Sequence, residues 1–153
     1  GWRVGWMIGP PDVMKAAINF QSHTTSNVSN VAQYAAVAAL TGGLDDVARM
    51  RAAFARRGEQ MHQMLTAIPG VTCMKPQGAF YCFPNVGGLL QRNIGGITAH
   101  NTMQLADLVL EQAKVAFVPG EAFGAPGYAR FSFALGDDDL REGISRFASL
   151  VAG

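Results

Sequence analysis

Two arginines stand out because they lie inside apolar, strand-like sequence and not on a charged helix face. Arg3 sits between Trp2 and Val4, and Arg130 between Ala129 and Phe131. A guanidinium cannot shed its charge, so in such surroundings it needs an anion or a route to water. The residues alone leave two readings open. Each arginine is an edge-strand residue reaching solvent or an aspartate, or each is an anion site whose planar fork takes a phosphate or a carboxylate through two parallel hydrogen bonds.

Little else in the chain suggests chemistry. His23, His62 and His100 are scattered, with no Cys or Asp at ligand spacing, so structural or surface roles and no metal are expected. Cys73 and Cys82 match no zinc or redox motif and lie in apolar segments. They read as free buried thiols, which points to a reducing, cytoplasmic compartment. Asp45-Asp46 and Asp137-Asp138-Asp139 stand at helix starts, where capping and the helix dipole account for them. No P-loop, HExxH, GxSxG, EF-hand loop or paired CxxC is present, and Gly120, Gly124 and Gly127 are not spaced as a dinucleotide fingerprint.

Composition narrows the classes further. At 153 residues the chain can bury a core without a metal or disulfide staple, and 49% hydrophobic against 15% charged residues exclude a disordered tail. A net charge of +1 with no basic cluster offers nothing to a phosphate backbone, so no nucleic-acid partner is expected. The cleanest apolar run, residues 34–40, is too short to cross a bilayer, and the first five residues do not resemble a signal peptide. The absence of an initiator Met suggests a fragment or a processed chain.

The elements that must position the arginines follow from periodicity. Trp2, Val4, Trp6 and Ile8 alternate with Arg3, Gly5, Met7 and Gly9, which predicts a strand over residues 2–8. Pro10-Pro11-Asp12 then opens a helix to about His23. A polar run, residues 22–30, separates it from an Ala-rich helix over 31–40 that Gly42-Gly43 ends. From Asp45 the longest helical pattern carries Val47, Met50, Phe54, Met61, Leu65 and Ile68 on one stripe until Pro69-Gly70. Strands are predicted over 71–74 and 79–83, then an aperiodic and mobile loop over 84–99. A helix over 102–113, strands over 115–118 and 128–135, and a last amphipathic helix with Asp137 as its N-cap complete the order.

Several motifs then occur in a familiar order. They are Gly1-Trp2-Arg3-Val4-Gly5-Trp6, Gly9-Pro10, Pro76-Gln77-Gly78-Ala79-Phe80-Tyr81, Val118-Pro119-Gly120 with Phe123-Gly124, and Arg130-Phe131-Ser132-Phe133-Ala134. In this order and spacing the chain resembles the C-terminal part of class I pyridoxal-phosphate-dependent aminotransferases, the bacterial aspartate-using branch most of all. The resemblance implies an α/β fold, the C-terminal portion of the PLP-dependent transferase fold. Residues 1–44 would complete the large cofactor-binding domain, and residues 45–153 would form a bridging helix and an α+β small domain. It implies pyridoxal 5'-phosphate as cofactor, an amino acid and a 2-oxo acid as substrates, and a homodimer. By the same resemblance Arg3 binds the cofactor phosphate, Arg130 binds the substrate α-carboxylate, and Ser26 and Asn27 lie near the dimer interface. The family's catalytic lysine would lie upstream of Gly1, since Lys15, Lys75 and Lys114 match no such position. No catalytic residue is therefore expected within the chain, and the chain alone is expected to be inactive. Lys114 stands where many relatives have glycine and needs a left-handed backbone or a different cap. Two alternatives remain: an aminotransferase-like effector domain of a transcription regulator, and a catalytically inactive binding module.

Overall fold

In the computed structural model, which describes residues 1–153, the chain divides into two compact units, residues 1–47 and 48–153. In the first unit, Pro11 opens helix α1 (Pro11–Thr24), where a proline has no N–H to leave unpaired and Asp12 favours the positive helix end. The helix stops where the Thr25 and Ser26 N–H groups both donate to the Gln21 carbonyl, with Ser26 at φ +59°. Helix α2 (Asn30–Thr41) is Ala-rich and ends as the Gly42 N–H donates to the Ala38 carbonyl. Ala32 is its buried residue.

The strand expected over residues 2–8 does not form. Residues 1–10 have no regular structure, and Trp2 and Trp6 are both 67% exposed. The alternation is present in the sequence, but a strand is held by its neighbour's hydrogen bonds, and no other strand pairs with this one.

Helix α3 (Asp45–Thr66) is the longest element and buries Gly58, Met61 and Leu65. The predicted apolar stripe is covered only in its second half, since Val47 and Met50 remain exposed. Gly58 has a packing reason: a Cβ there would stand 3.1 Å from the Phe133 ring, so the missing side chain lets helix and aromatic meet.

The strands of the second unit are shorter than their sequence patterns. Of the run over 71–74 only Thr72 pairs, through a bridge to Asn85. The run over 79–83 contracts to β1 (Tyr81–Cys82), because Pro76 lacks an N–H and Ala79 turns into positive φ, +56°. Residues 84–99, expected as a mobile loop, are instead ordered by burial. Val86, Leu89, Ile94 and Ala99 enter the core, and β2 (Asn93–Ile94) and β3 (Ile97–Thr98) form a hairpin across Gly95-Gly96. Both glycines have positive φ, +56° and +84°, as a two-residue hairpin turn of this hand requires.

Helix α4 (Thr102–Ala113) is capped by the Asn101 side chain, which accepts the Gln104 N–H at 2.9 Å. It ends at Lys114 in the left-handed region, φ +57° and ψ +38°. Strands β4 (Val118–Pro119) and β5 (Ala129–Ser132) complete an antiparallel sheet in the order β1-β5-β4. Asp137 opens α5 (Asp137–Ala152), but Gly136 and not Asp137 is the N-cap, and no side chain caps it. The Asp137 carboxylate is drawn away by Arg57 at 2.5 Å and Arg56 at 2.7 Å, whose hydrogen bonds also hold it below the usual carboxylate range. The core beneath the sheet centres on Phe147, whose ring lies 5.4 Å from Phe131 and 6.2 Å from Phe117.

Lys114 carries a measurable cost. A left-handed residue with a side chain costs roughly 1–2 kcal/mol, partly offset by the greater chain entropy glycine would lose. Its 3.8 Å pair with Glu111 is exposed and contributes little. Lys114→Gly is expected to stabilise the protein by about 0.5–1 kcal/mol in urea unfolding. A lower urea midpoint would refute the strain.

Candidate functional site

The period of a strand sorts the second unit's sheet into two faces. Cys82, Ala129 and Phe131 point inward and are buried. Tyr81, Phe83, Tyr128 and Arg130 alternate with them, and the antiparallel register, Tyr81 opposite Ser132 and Cys82 opposite Phe131, brings them to the outer face. This face is an aromatic ladder. Phe83 stacks on Tyr128 at 5.3 Å between ring centroids and meets Phe123 edge-on at 6.0 Å. A cavity of about 470 Å³ opens beside it, lined in part by Met74, Tyr81, Phe83 and Tyr128.

Arg130 occupies the central strand of this face. Its guanidinium carbon lies 4.4 Å from the Tyr81 ring centroid and 4.7 Å from that of Phe123. Contacts of this kind contribute roughly 0.5–2 kcal/mol each and confine the guanidinium. The N–H donors lie in the edge of its plane, so the rings orient the fork without consuming it. No carboxylate pairs with Arg130, whereas Arg56 and Arg57 share Asp137, Arg141 pairs with Asp138 and Arg146 with Glu142. A half-buried cation with its orientation fixed and its donors unspent is suited to an incoming carboxylate.

Arg3 lies in the first unit, in the irregular segment before α1, exposed and at φ +52°. It too has no carboxylate partner. Its chemistry fits one contact to a phosphate ester, and residues 1–47 bring no second arginine to it. The fit to pyridoxal phosphate thus extends to the phosphate end alone. Lys15 stands on α1, Lys75 is paired with Glu59 at 2.5 Å, and Lys114 forms the C-cap of α4.

Two of the three histidines are tied into structure, while His23 is exposed in the last turn of α1. His62 Nε2 meets the Cys73 carbonyl at 3.0 Å, and His100 Nδ1 meets Gln91 Oε1 at 2.8 Å. Both cysteines are free, Cys82 buried and Cys73 only half-buried, where burial of both was expected. Desolvation pushes the Cys82 thiol up to about 12, reinforced by the neighbouring Cys73, and raises Cys73 as well. Neither is poised as a nucleophile at neutral pH.

The ring partners of Arg130 escape a reading that treats motifs one at a time. Tyr81 and Phe123 belong to stretches conspicuous in the sequence, but their role appears only when β1 is laid against β5. The signal available beforehand is the period of two: Tyr81 and Phe83 on one strand, Tyr128 and Arg130 on another.

An arginine without a carboxylate partner, on the outer face of an antiparallel sheet backed by a helical core, has the chemistry to take an anion. The chain belongs to the family Aminotransferase class I and II, whose sequence profile matches residues 1–147. It is 59% identical over 99% of its length to the aspartate aminotransferase of Streptomyces avermitilis, and 44% identical over 95% to that of Geobacillus stearothermophilus. The crystal structure of the aspartate aminotransferase from Rhizobium meliloti superimposes on 99% of the chain with a TM-score of 0.91 at 36% identity. The chain spans 37%, 36% and 38% of these three proteins respectively.

The thiol environment is directly testable. At pH 8 Cys82 is expected to resist iodoacetamide in the folded protein and to react only in urea, while half-buried Cys73 reacts first. Mass-spectrometric mapping that finds Cys82 alkylated as fast as Cys73 under native conditions would contradict the burial of its sulfur.

Proposed function

We propose that this chain is the C-terminal portion of a PLP-dependent aminotransferase that moves an amino group between an amino acid, aspartate favoured, and a 2-oxo acid. Arg130 receives the α-carboxylate of both. The observation that carries the reading is the unpaired Arg130 fork held between Tyr81 and Phe123. An amino acid and its 2-oxo acid differ at Cα but share the α-carboxylate, so one fork serves both directions of the reaction. Gripping a carboxylate at two oxygens also fixes its plane and the direction of the adjoining bond, which places Cα.

Pyridoxal phosphate, when bound, supplies the electron sink for chemistry at Cα. In this reading Arg3 holds its phosphate, supported by a permanent cation that is exposed and has no carboxylate partner. The reading includes a homodimer, supported by exposed Trp2, Trp6, Tyr34 and Leu40 in the first unit, and a cytoplasmic location, supported by the two free thiols.

Arg130→Leu in the full-length enzyme is expected to lower kcat/KM for aspartate by about 100-fold or more. Arg130→Lys should restore only part of this, because an ammonium cannot fork. An unchanged kcat/KM in the Leu variant would sink the assignment. For Arg3, substitution by Leu is expected to weaken the affinity of the apoenzyme for pyridoxal phosphate by roughly tenfold, read by absorbance titration. Wild-type affinity would remove Arg3 from the phosphate site.

A further inference from the structure

Resting on the reading of Arg130 as the carboxylate site, we propose that Glu121 is a positioning residue. It ties the loop carrying Phe123 to the first residue of α4 and so sets the plane in which Arg130 presents its donors.

Residues 120–128 form a loop closed on itself. The Gly120 N–H donates to the Tyr128 carbonyl at 2.7 Å, and the Ala125 N–H donates to the Gly120 carbonyl at 2.9 Å. Gly120 is enclosed so tightly that a Cβ would collide with the Ala125 and Tyr128 carbonyls. The loop's ends are placed by β4 and β5 and by the Val86 N–H, which donates to the Gly127 carbonyl at 2.8 Å, while residues 121–123 project beyond these bonds. Phe123 cannot fix their place by burial, since 49% of it is exposed.

The Glu121–Phe123 stretch is tied down by Thr102, which is fully buried. Its N–H donates to Glu121 Oε1 at 3.0 Å, and its Oγ1 accepts the Gly127 N–H at 3.0 Å, so one residue grips both ends of the loop. This N–H is among the first of α4 and has no partner within the helix. The Asn101 side chain is spent on Gln104, which leaves the Thr102 N–H to Glu121. The other carboxylate oxygen, Oε2, is shut away from solvent without a partner. That is a cost which the charge at the positive end of α4 offsets, and it holds the side chain to the helix end. From Glu121 two residues lead to Phe123, and from Phe123 a ring contact leads to the guanidinium.

The test uses the full-length enzyme with aspartate and 2-oxoglutarate, and Arg130→Leu as reference. Glu121→Ala is expected to raise KM for both substrates roughly tenfold with kcat within about twofold, because a misplaced carboxylate fork weakens binding of every substrate that shares the group. Glu121→Gln, whose amide oxygen accepts the same hydrogen bond, should restore KM. In a Phe123→Ala background, Glu121→Ala should raise KM no further, since the path runs through the ring. An unchanged KM in Glu121→Ala, or an equal rise with and without Phe123, overturns the proposal. Should the Ala variant fail to fold, Glu121→Asp, one methylene short of Thr102, must raise KM in its place, and wild-type KM there overturns it equally. A wild-type kcat/KM in Arg130→Leu would instead overturn the reading of the site and with it the role of Glu121.

Discussion

A cation that cannot be neutralised is planted in the middle strand of a small sheet, and the second unit is arranged around keeping it oriented yet unpaired. Arg130 has a hydrogen-bonded strand on either side, so its backbone has no freedom to turn. The side chain is then confined by ring faces, which attract a guanidinium without offering it an acceptor. A carboxylate in place of either ring would have satisfied the charge and closed the site. Aromatic confinement is the chemical choice that leaves hydrogen-bonding capacity for something outside the chain.

The inner face of the same strands supplies the rigidity. Cys82, Ala129, Phe131 and Phe133 pack against the helices, with Phe147 of α5 fully enclosed beneath. Gly58 lets α3 come within contact of Phe133. The Asp137 carboxylate, held by Arg56 and Arg57, links α3 to the start of α5 through partly exposed groups. A strand whose inner residues are held by the core gives its outer residues a fixed address, and this is how a core with no chemistry of its own determines where the guanidinium stands.

The helices were legible in the sequence through their periodicity and punctuation: Pro11 at one start, Gly42 at one end, Pro69-Gly70 beyond another. Arg130 was legible as an anomaly, a charge among apolar neighbours, and the family resemblance implied a carboxylate as its partner. What failed were features that depend on a second segment. The alternation over residues 2–8 is strand-like, but no other strand is paired with it. Asp137 has the chemistry of an N-cap, but two arginines some eighty positions earlier compete for it and win. The 84–99 stretch looked aperiodic because its order comes from scattered apolar residues reaching a common core and from a Gly95-Gly96 turn, neither of which produces a repeat. The roles of Tyr81, Phe123 and Glu121 were hidden for the same reason, since each depends on a partner distant in sequence or on another element.

Strand order also has a consequence for how the chain is made. The central strand β5 comes after both of its neighbours in the sequence, so during synthesis β1 and β4 emerge before the strand that joins them exists. Until residues 129–132 have left the ribosome, Tyr81 and Phe83 stand on an unpaired edge, the kind of surface that associates with other nascent chains. The three-stranded sheet, and with it the setting of Arg130 against its rings, cannot be completed before this last strand is made. A chain interrupted in the loop before that strand would keep the segments of four of its helices and of the β2–β3 hairpin, yet lack both the three-stranded sheet and Arg130.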